Sequence, residues 1–405
     1  MIKKPAVQAA GPAAKPSTVT SLRQHNRARV LRQIILARET TRAEIARDSG
    51  LSAASAISIV AELIADGLVE EKGSISSQGG RPIAILSPRA DSAVTIGADI
   101  GERGVAVEMF DLAMNRVDRE FSGGREEEPA AQIAADLASA LTALRRRNPD
   151  RWPNLLGIGL GLPGIVETDD AGERILYAQS LGWDPISITE LCDVGAVVHA
   201  ENGAKTQARA ELWYGAARGS DHALVALLGR GVGLGVVAEG RLAHGSRSSA
   251  GEWGHTVIEY NGRLCRCGKR GCVEAYIGSD AILDAWAARG GQFEGSGWGA
   301  LGQLIDGAAG GDPVAAAVVQ ETIEYLSAGL GALVNLYNPE RIVIGGWVGL
   351  RLMETLGERI HEAVKGACLA RPGGQFDLSV AELGGDSVSL GAALLPIEAL
   401  IDQNP

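Results

Sequence analysis

Long apolar runs are missing from this 405-residue sequence. No stretch approaches the roughly 20 uninterrupted apolar residues of a membrane-spanning helix, and the opening MIKKPAVQAAGPAAKPSTVT has no apolar core of the kind a secretory signal needs. The sequence therefore reads as a cytoplasmic protein with no membrane partner. Residues 1–20 are expected to be a disordered leader, because Ala, Pro and Lys offer little to bury. Cysteine is also scarce. Only five occur, and three of them, Cys265, Cys267 and Cys272, crowd into eight positions. Three is an odd number and two thiols separated by one residue would close a strained ring, so a disulfide reading fails.

The chain is too long for one core and suggests two or three domains. Its charge is divided unevenly. Residues 1–90 hold 13 Lys and Arg against 7 Asp and Glu, an excess of 6 positive charges, which leaves -17 of the net -11 to the remainder. A basic head on an acidic body points to nucleic acid as partner for the head alone. Within the head, Leu22, Val30, Ile34 and Ile35 recur at helical spacing among Arg23, Arg27, Arg29 and Arg32. TRAEIARDSG then pairs Thr41 with Glu44 as a capping box and stops at Gly50. LSAASAISIVAELIADGL starts on Ser52 as cap, with Ile57, Val60, Leu63 and Ile64 expected inward and a stop at Gly67. Two short helices about a glycine turn are a helix-turn-helix.

LVEEK and RPIAILSP, joined by GSISSQGG, add two strands and a wing with Arg81 at its base. Residues 21–88 thus read as a winged helix-turn-helix for double-stranded operator DNA, with Ser52, Ser55 and Ser58 facing base edges and Arg81 entering the minor groove. The face expected outward, Ser52, Ala53, Ser55, Ala56 and Ser58, lacks the Arg, Lys, Asn and Gln that make bidentate base contacts. Specificity would then rest on hydroxyls, thymine methyls and groove shape. A winged helix that binds protein is the alternative.

Beyond Pro88, apolar strands alternate with longer helical segments, an α/β pattern. Ala93–Asp111 and Ala223–Gly240 are each a strand, a glycine turn and a returning strand, about 130 residues apart. Paired hairpins of this kind hold phosphates on backbone N–H groups in the actin and sugar-kinase fold. GIGLGLPGIVE, GAVVHAENGAKTQARAE and RIVIGGWVG each end a strand in a loop or helix start, where α/β proteins bind ligands.

The three cysteines, with His255 ten residues before the first, complete a tetrahedral Zn2+ shell with no open position, which makes the site structural. With one ring nitrogen on the metal, the other nitrogen of His255 can face a ligand. At these residues the chain closely resembles the ROK family, named for repressors, open reading frames and kinases. GEWGH followed by CRCGKRGCVE looks like the family's sugar and zinc signature, LPGIV like its Pro-Gly loop, and SLGW like the segment that closes over sugar. The resemblance implies an actin-like, ribonuclease H-like body of two lobes, 91–200 plus 386–405 and 201–385, the second carrying the zinc. It also implies that Asn202, Glu252, His255 and Glu274 hold sugar hydroxyls, for which carboxylates and an imidazole are suitable acceptors. The alternative for Glu252 and Glu274 is a salt bridge to Arg263, Arg266, Lys269 or Arg270.

Departures from the kinase pattern carry the functional expectation. Gly203 stands where kinases of the family have their catalytic Asp, Glu102-Arg103-Gly104 where they have Gly-Gly-Thr or nearby, Arg230 where their second phosphate loop has Thr, and Ser180 where an Asn is common. The chain is therefore expected to be no enzyme but a transcription regulator, a repressor, with the body as effector and oligomerisation module. Two-fold operators imply a homodimer or homotetramer. A sugar kinase with a regulatory head, or a regulator answering to a protein, are the alternatives.

Overall fold

The computed structural model describes residues 19–76, 82–101, 104–123 and 129–403. Three helices open it: α1 (Val19–Ala37), α2 (Arg42–Ser49) and α3 (Ala53–Ala65). Val30, Leu31, Ile34 and Ile35 of α1 are fully buried, whereas Leu22 is exposed. α2 has the expected capping box, with the Thr41 side chain accepting from Glu44 N and Glu44 Oε2 accepting from Thr41 N. It ends at Gly50 in the left-handed region (φ 65°), which glycine enters without a Cβ penalty. Ser52 then caps α3 through Ser55 N. β1 (Val69–Ile75) and β2 (Ile83–Pro88) pair antiparallel, and Thr40 bridges to Leu86 on the other edge. Arg81 lies outside the described residues, as do Glu102, Arg103 and residues 1–18.

One expectation for α3 is corrected. Ile57 points outward, 52% exposed, and Ala56 is fully buried in its place. The inward set is Ala56, Ile59, Val60 and Leu63, the i, i+3, i+4, i+7 pattern of one helix face, and Ile57 sits about 100° away from Ala56 on the 3.6-residue turn. On the outer side of the head, Arg23 pairs with Glu62 and Arg27 with Asp66 at 2.5 Å, so α1 neutralises the acidic end of α3.

Contacts divide the chain into two units, one of residues up to Arg89 together with those from Glu398 onward, and one of Ala90–Ile397. Of residues 386–405, expected in the first lobe, 386–397 thus group with the body and the chain from Glu398 onward with the head. The second unit contains two five-stranded sheets of the same topology. In the first, Val94–Gly101, Gly104–Asp111 and Arg116–Gly123 form an antiparallel meander, and Leu155–Leu162 and Val198–Asn202 add parallel strands on the other side. In the second, Ala223–Leu228, Val232–Ala238 and Arg241–Leu242 form the meander, and Arg341–Gly345 and Asp377–Val380 the parallel pair. The two glycine-turned hairpins singled out in the sequence open these equivalent sheets.

Glycine sets how closely the layers approach. The terminal helix Ser387–Gln403 lies on the first sheet where a Cβ on Gly97 or Gly159 would come within 1.8 Å of a carbonyl oxygen of Ser389 or Ala392. Gly391 of the same helix meets the helix Gly203–Tyr214, its own Cβ position 1.7 Å from Thr206 O. This terminal helix makes up most of Gly384–Ile401, the one single stretch among the described residues long and apolar enough to cross a bilayer, and somewhat more than half of that stretch is buried inside the protein, with Thr95 Oγ1 donating to Ala393 O. Because backbone cannot move aside as a side chain can, Gly391→Ala is expected to destabilise the protein by about 2 kcal/mol or more, at the upper end of overpacking costs. Denaturant titration of the body's far-ultraviolet signal would measure it, and an unchanged midpoint would contradict this packing.

Candidate functional site

The strand Val198–Asn202 delivers Glu201 and Asn202 to the point where the chain enters the helix Gly203–Tyr214. Asn202 caps that helix. Its Oδ1 accepts from Ala204 N at 2.9 Å and Lys205 N at 3.4 Å, and its Nδ2 donates to Gly164 O of the Pro-Gly loop at 2.8 Å. One N–H is left for a ligand. Gly203 contributes no side chain, although space exists, since a Cβ there would have Leu162 O as nearest neighbour at 3.6 Å.

Lys205 and Glu201 were not anticipated as functional residues. Lys205 is 2% exposed; its ammonium donates to Ser248 O and lies 3.9 Å from Glu201 Oε1. Burial pushes Lys205 below its ordinary value, against the pull of Glu201 and Glu252. For Glu201, burial acts upward but is outweighed by the hydrogen bond from His244 (2.8 Å) and the charges of Arg209 and Lys205, so its carboxyl lies below the usual range. The i, i+4 spacing of Glu201 and Lys205 was visible in the sequence, but nothing there signalled burial.

The loop that follows brings Glu252 and His255 to the same place. No described residue donates a hydrogen bond to Glu252; burial raises its carboxyl, and His255 and Lys205 offset part of that while Glu274 adds to it. His255 presents Nδ1 to Cys265 Sγ at 3.7 Å and Nε2 to Ser180 Oγ at 3.5 Å. Cys267 and Cys272 bring their sulfurs to 3.8 Å, and all four ligand atoms of His255, Cys265, Cys267 and Cys272 lie within 4.8 Å of one another. The edge of a tetrahedron built on 2.3 Å metal–sulfur bonds is about 3.8 Å, so this cluster has the size to hold a metal ion. Tight turns build it. Gly271, at φ 79°, lies where a Cβ would be 1.8 Å from Glu259 O. Burial raises the Cys265 and Cys272 thiols, so thiolates here need a cation beside them.

Glu274, 6% exposed, follows the last cysteine. Its Oε2 accepts from Val232 N at 3.0 Å, and its Oε1 lies 3.6 Å from Arg266 Nη2 and 3.7 Å from Cys265 Sγ. For Glu274 the arginine pairing weighed in the sequence is thus present; Glu252 has none. A cavity of about 390 Å3 adjoins Glu274, with Arg230, Arg263 and Arg266 in its wall. Arg230 is bound to Asp280 at 2.6 Å. At the first hairpin, burial and the charges of Glu108 and Asp386 push Asp99 up to about 7.

The head residues are distributed differently. Ser52 and Ser55 are exposed at the start of α3, their hydroxyls 2.9 Å apart, and Ser58 accepts from Arg23 Nη2 at 3.2 Å.

The family model described as ROK family matches residues 95–399. Among curated relatives, a xylose repressor of Caldicellulosiruptor bescii is 27% identical over 359 residues, covering 85% of this chain and 89% of the repressor. A glucokinase of Halalkalibacterium halodurans is 30% identical over 312 residues and covers 74% of this chain and 94% of the kinase. A crystal structure described as a ROK family transcriptional regulator, homolog of the E. coli MLC protein, shares the fold at TM-score 0.75 and 23% identity, over 95% of this chain and 98% of that one. The chain belongs to the ROK family, in the company of its transcriptional regulators.

Proposed function

We propose that this protein is a DNA-binding repressor whose kinase-like body binds a sugar or sugar derivative as an effector and does not phosphorylate it. The observation that carries the reading is the pairing of a helix-turn-helix head with a cleft in which Gly203, directly after the capping Asn202, offers no base. The extent of likeness agrees with it: the glucokinase relative covers 74% of the chain and the xylose repressor 85%. Glu252 is a partly buried carboxylate to which no described residue donates a hydrogen bond, and the Nε2 side of His255 and the second Nδ2 hydrogen of Asn202 complement it. These groups suit sugar hydroxyls, which both donate and accept. A sugar that prefers one arrangement of the lobes shifts the population toward it, and DNA affinity changes by the same coupling free energy.

The test begins with duplexes selected from a random library by the full-length protein, followed by a panel of pentoses, hexoses and N-acetylated hexosamines. One sugar class is expected to release the duplex. Glu252→Gln is expected to raise the sugar concentration needed by about tenfold, the value of one good hydrogen bond to a charged group, and to leave sugar-free DNA affinity unchanged. Failure to select any duplex would reject the reading.

The cluster of His255, Cys265, Cys267 and Cys272 is proposed to hold Zn2+, for which three thiolates and an imidazole are a closed structural set. Metal analysis of protein purified without added zinc should give about one equivalent, the ratio a single four-ligand shell requires. Cys267→Ser is expected to lose most of it and to blunt the sugar response, since Glu274 stands two residues after Cys272. Retention of stability and response by a metal-free protein would overturn the assignment.

Catalysis is proposed to be absent. General-base help is worth roughly 100- to 10,000-fold, and the nearest carboxylate, Glu201, is bound to His244 and faces Lys205. Asp99, Glu108 and Asp386 interact at the first hairpin, an unfavourable setting for polyphosphate. No ATP-dependent phosphorylation of hexoses or N-acetylated hexosamines is expected, and Gly203→Asp, though its Cβ fits, is not expected to restore it. Turnover above about 1 per second with radiolabelled ATP, an ordinary enzyme rate, would return the protein to the kinases.

A further inference from the structure

The outward turn of Ile57 leaves the head with an unusual reading surface. Between Ser52 and Ala61 of α3, the residues are Ser, Ala, Ala, Ser, Ala, Ile, Ser, Ile, Val and Ala; Ala56, Ile59 and Val60 are buried. Ile57 is therefore the only exposed side chain larger than serine in this stretch, and it is 52% exposed. The serines beside it are already engaged. The Ser52 and Ser55 hydroxyls meet each other at 2.9 Å, Ser52 also caps the helix through Ser55 N at 3.1 Å, and Ser58 accepts from Arg23. The one prominent group on the surface is thus a branched alkyl chain on an otherwise low helix.

Single exposed apolar residues on a protein surface need no explanation in general. Two features of this one set it apart. It lies on the second helix of a helix-turn-helix, the element that enters the major groove, and the head that carries it has an excess of 6 positive charges over residues 1–90, complementary to a polyanion. The major groove displays one apolar group that distinguishes a base, the C5 methyl of thymine. A helix bearing mostly Ala and Ser can approach the groove floor closely, so an isoleucine projecting from it can reach that methyl, while Arg23 beside it is engaged by Ser58 and Glu62.

We propose that Ile57 is a specificity-determining residue that selects thymine by packing against its C5 methyl group. The inference rests on the DNA-binding reading above and adds the base it reads. It also implies that operator choice depends on a methyl contact in place of bidentate hydrogen bonds.

The experiment uses the full-length protein and the duplex it selects from a random library. Each thymine in that duplex is replaced in turn by uracil, which removes the methyl group and keeps the base pair, and affinities are read by fluorescence anisotropy for wild type, Ile57→Ala and Ile57→Ser. One thymine per half-site is expected at which uracil weakens wild-type binding about fourfold, the worth of burying one methyl or methylene group. At the same position uracil should change binding by the two variants less than twofold, because the partner of the methyl is gone. Non-specific binding to a scrambled duplex, set by phosphate contacts, should be the same for all three proteins. Three results overturn the proposal and leave DNA binding standing: a selected site without thymine, uracil penalties identical in wild type and variants, or variants that lose self-association in sedimentation with unchanged base preference, which would make Ile57 a protein contact. Selection of no duplex at all defeats the DNA-binding reading itself.

Discussion

The body is organised around a helix that is buried on nearly all sides although half of its residues are polar. In Gly203–Tyr214, every residue from Ala204 to Glu211 is buried, including Lys205, Thr206, Gln207, Arg209 and Glu211. Such a helix is tolerable only if its neighbours approach closely and its polar groups are answered. Glycine supplies the approach: Gly233 and Gly235 of the second sheet lie where a Cβ would strike Ala204 and Ala208, and Gly391 packs on Thr206 O. Backbone supplies several of the answers, although the buried Gln207 Oε1 has none among the described residues. Glu211 accepts from the N–H groups of Ala216, Glu382 and Leu383, which counter the upward push of burial on its carboxyl. The helix therefore touches the strands of both lobes, and its first turn, with Asn202 and Lys205, is held where the cleft begins.

The metal cluster performs the same task for the other wall. Between the short 3-10 turn Trp253–His255 and the helix that starts at Glu274, the loop has only isolated bridges, Val257 to Cys272 and Leu264 to Arg270. A metal ion shared by His255 and the three cysteines would fix a segment with too little regular hydrogen bonding to define itself. Two residues with different duties emerge. Glu274 is tied to Val232 N and lies near Arg266, so it joins the metal loop to the second hairpin. Glu252 is left without a donor, and its nearest charges are His255, Lys205 and Glu274. Of the two carboxylates, Glu252 is the one with hydrogen-bonding capacity still to be filled.

Much of this was legible from spacing. The capping box of Thr41 and Glu44, the stop at Gly50, both glycine-turned hairpins and the His-Cys cluster are each set within one short stretch of sequence. What escaped the sequence depends on distant partners. Ile57 and Ala56 could each complete a plausible apolar face, and a large β-branched residue is the natural choice for the core; which one turns inward follows from the phase fixed by Ile59, Val60 and Leu63 against α1. Lys205 is a residue type almost never fully buried unless paired, and its partners Ser248 and Glu252 lie more than 40 positions away. The grouping of the chain from Glu398 with the head likewise has no local signature.

The contacts between the lobes bear on how a ligand could act. Among the described residues and apart from the buried helix, polar links between the lobes include Arg247 with Glu167 at 2.7 Å and Asp170 at 3.9 Å, and the long approach of Ser180 to His255 at 3.5 Å. The first has an exposed arginine, and such pairs contribute about 0–1 kcal/mol. At 3.5 Å the last is at the outer limit of a hydrogen bond. A ligand that reaches from Ser180 and the Asn202 turn to Glu252 would therefore compete with weak native links and add several new ones, which is the condition for differential binding to open and closed bodies. A clean switch needs about 5.5 kcal/mol of such difference. Two or three charge-assisted hydrogen bonds at about 1.5–3 kcal/mol each reach that figure, and Glu252, to which no described residue donates, would supply one of them.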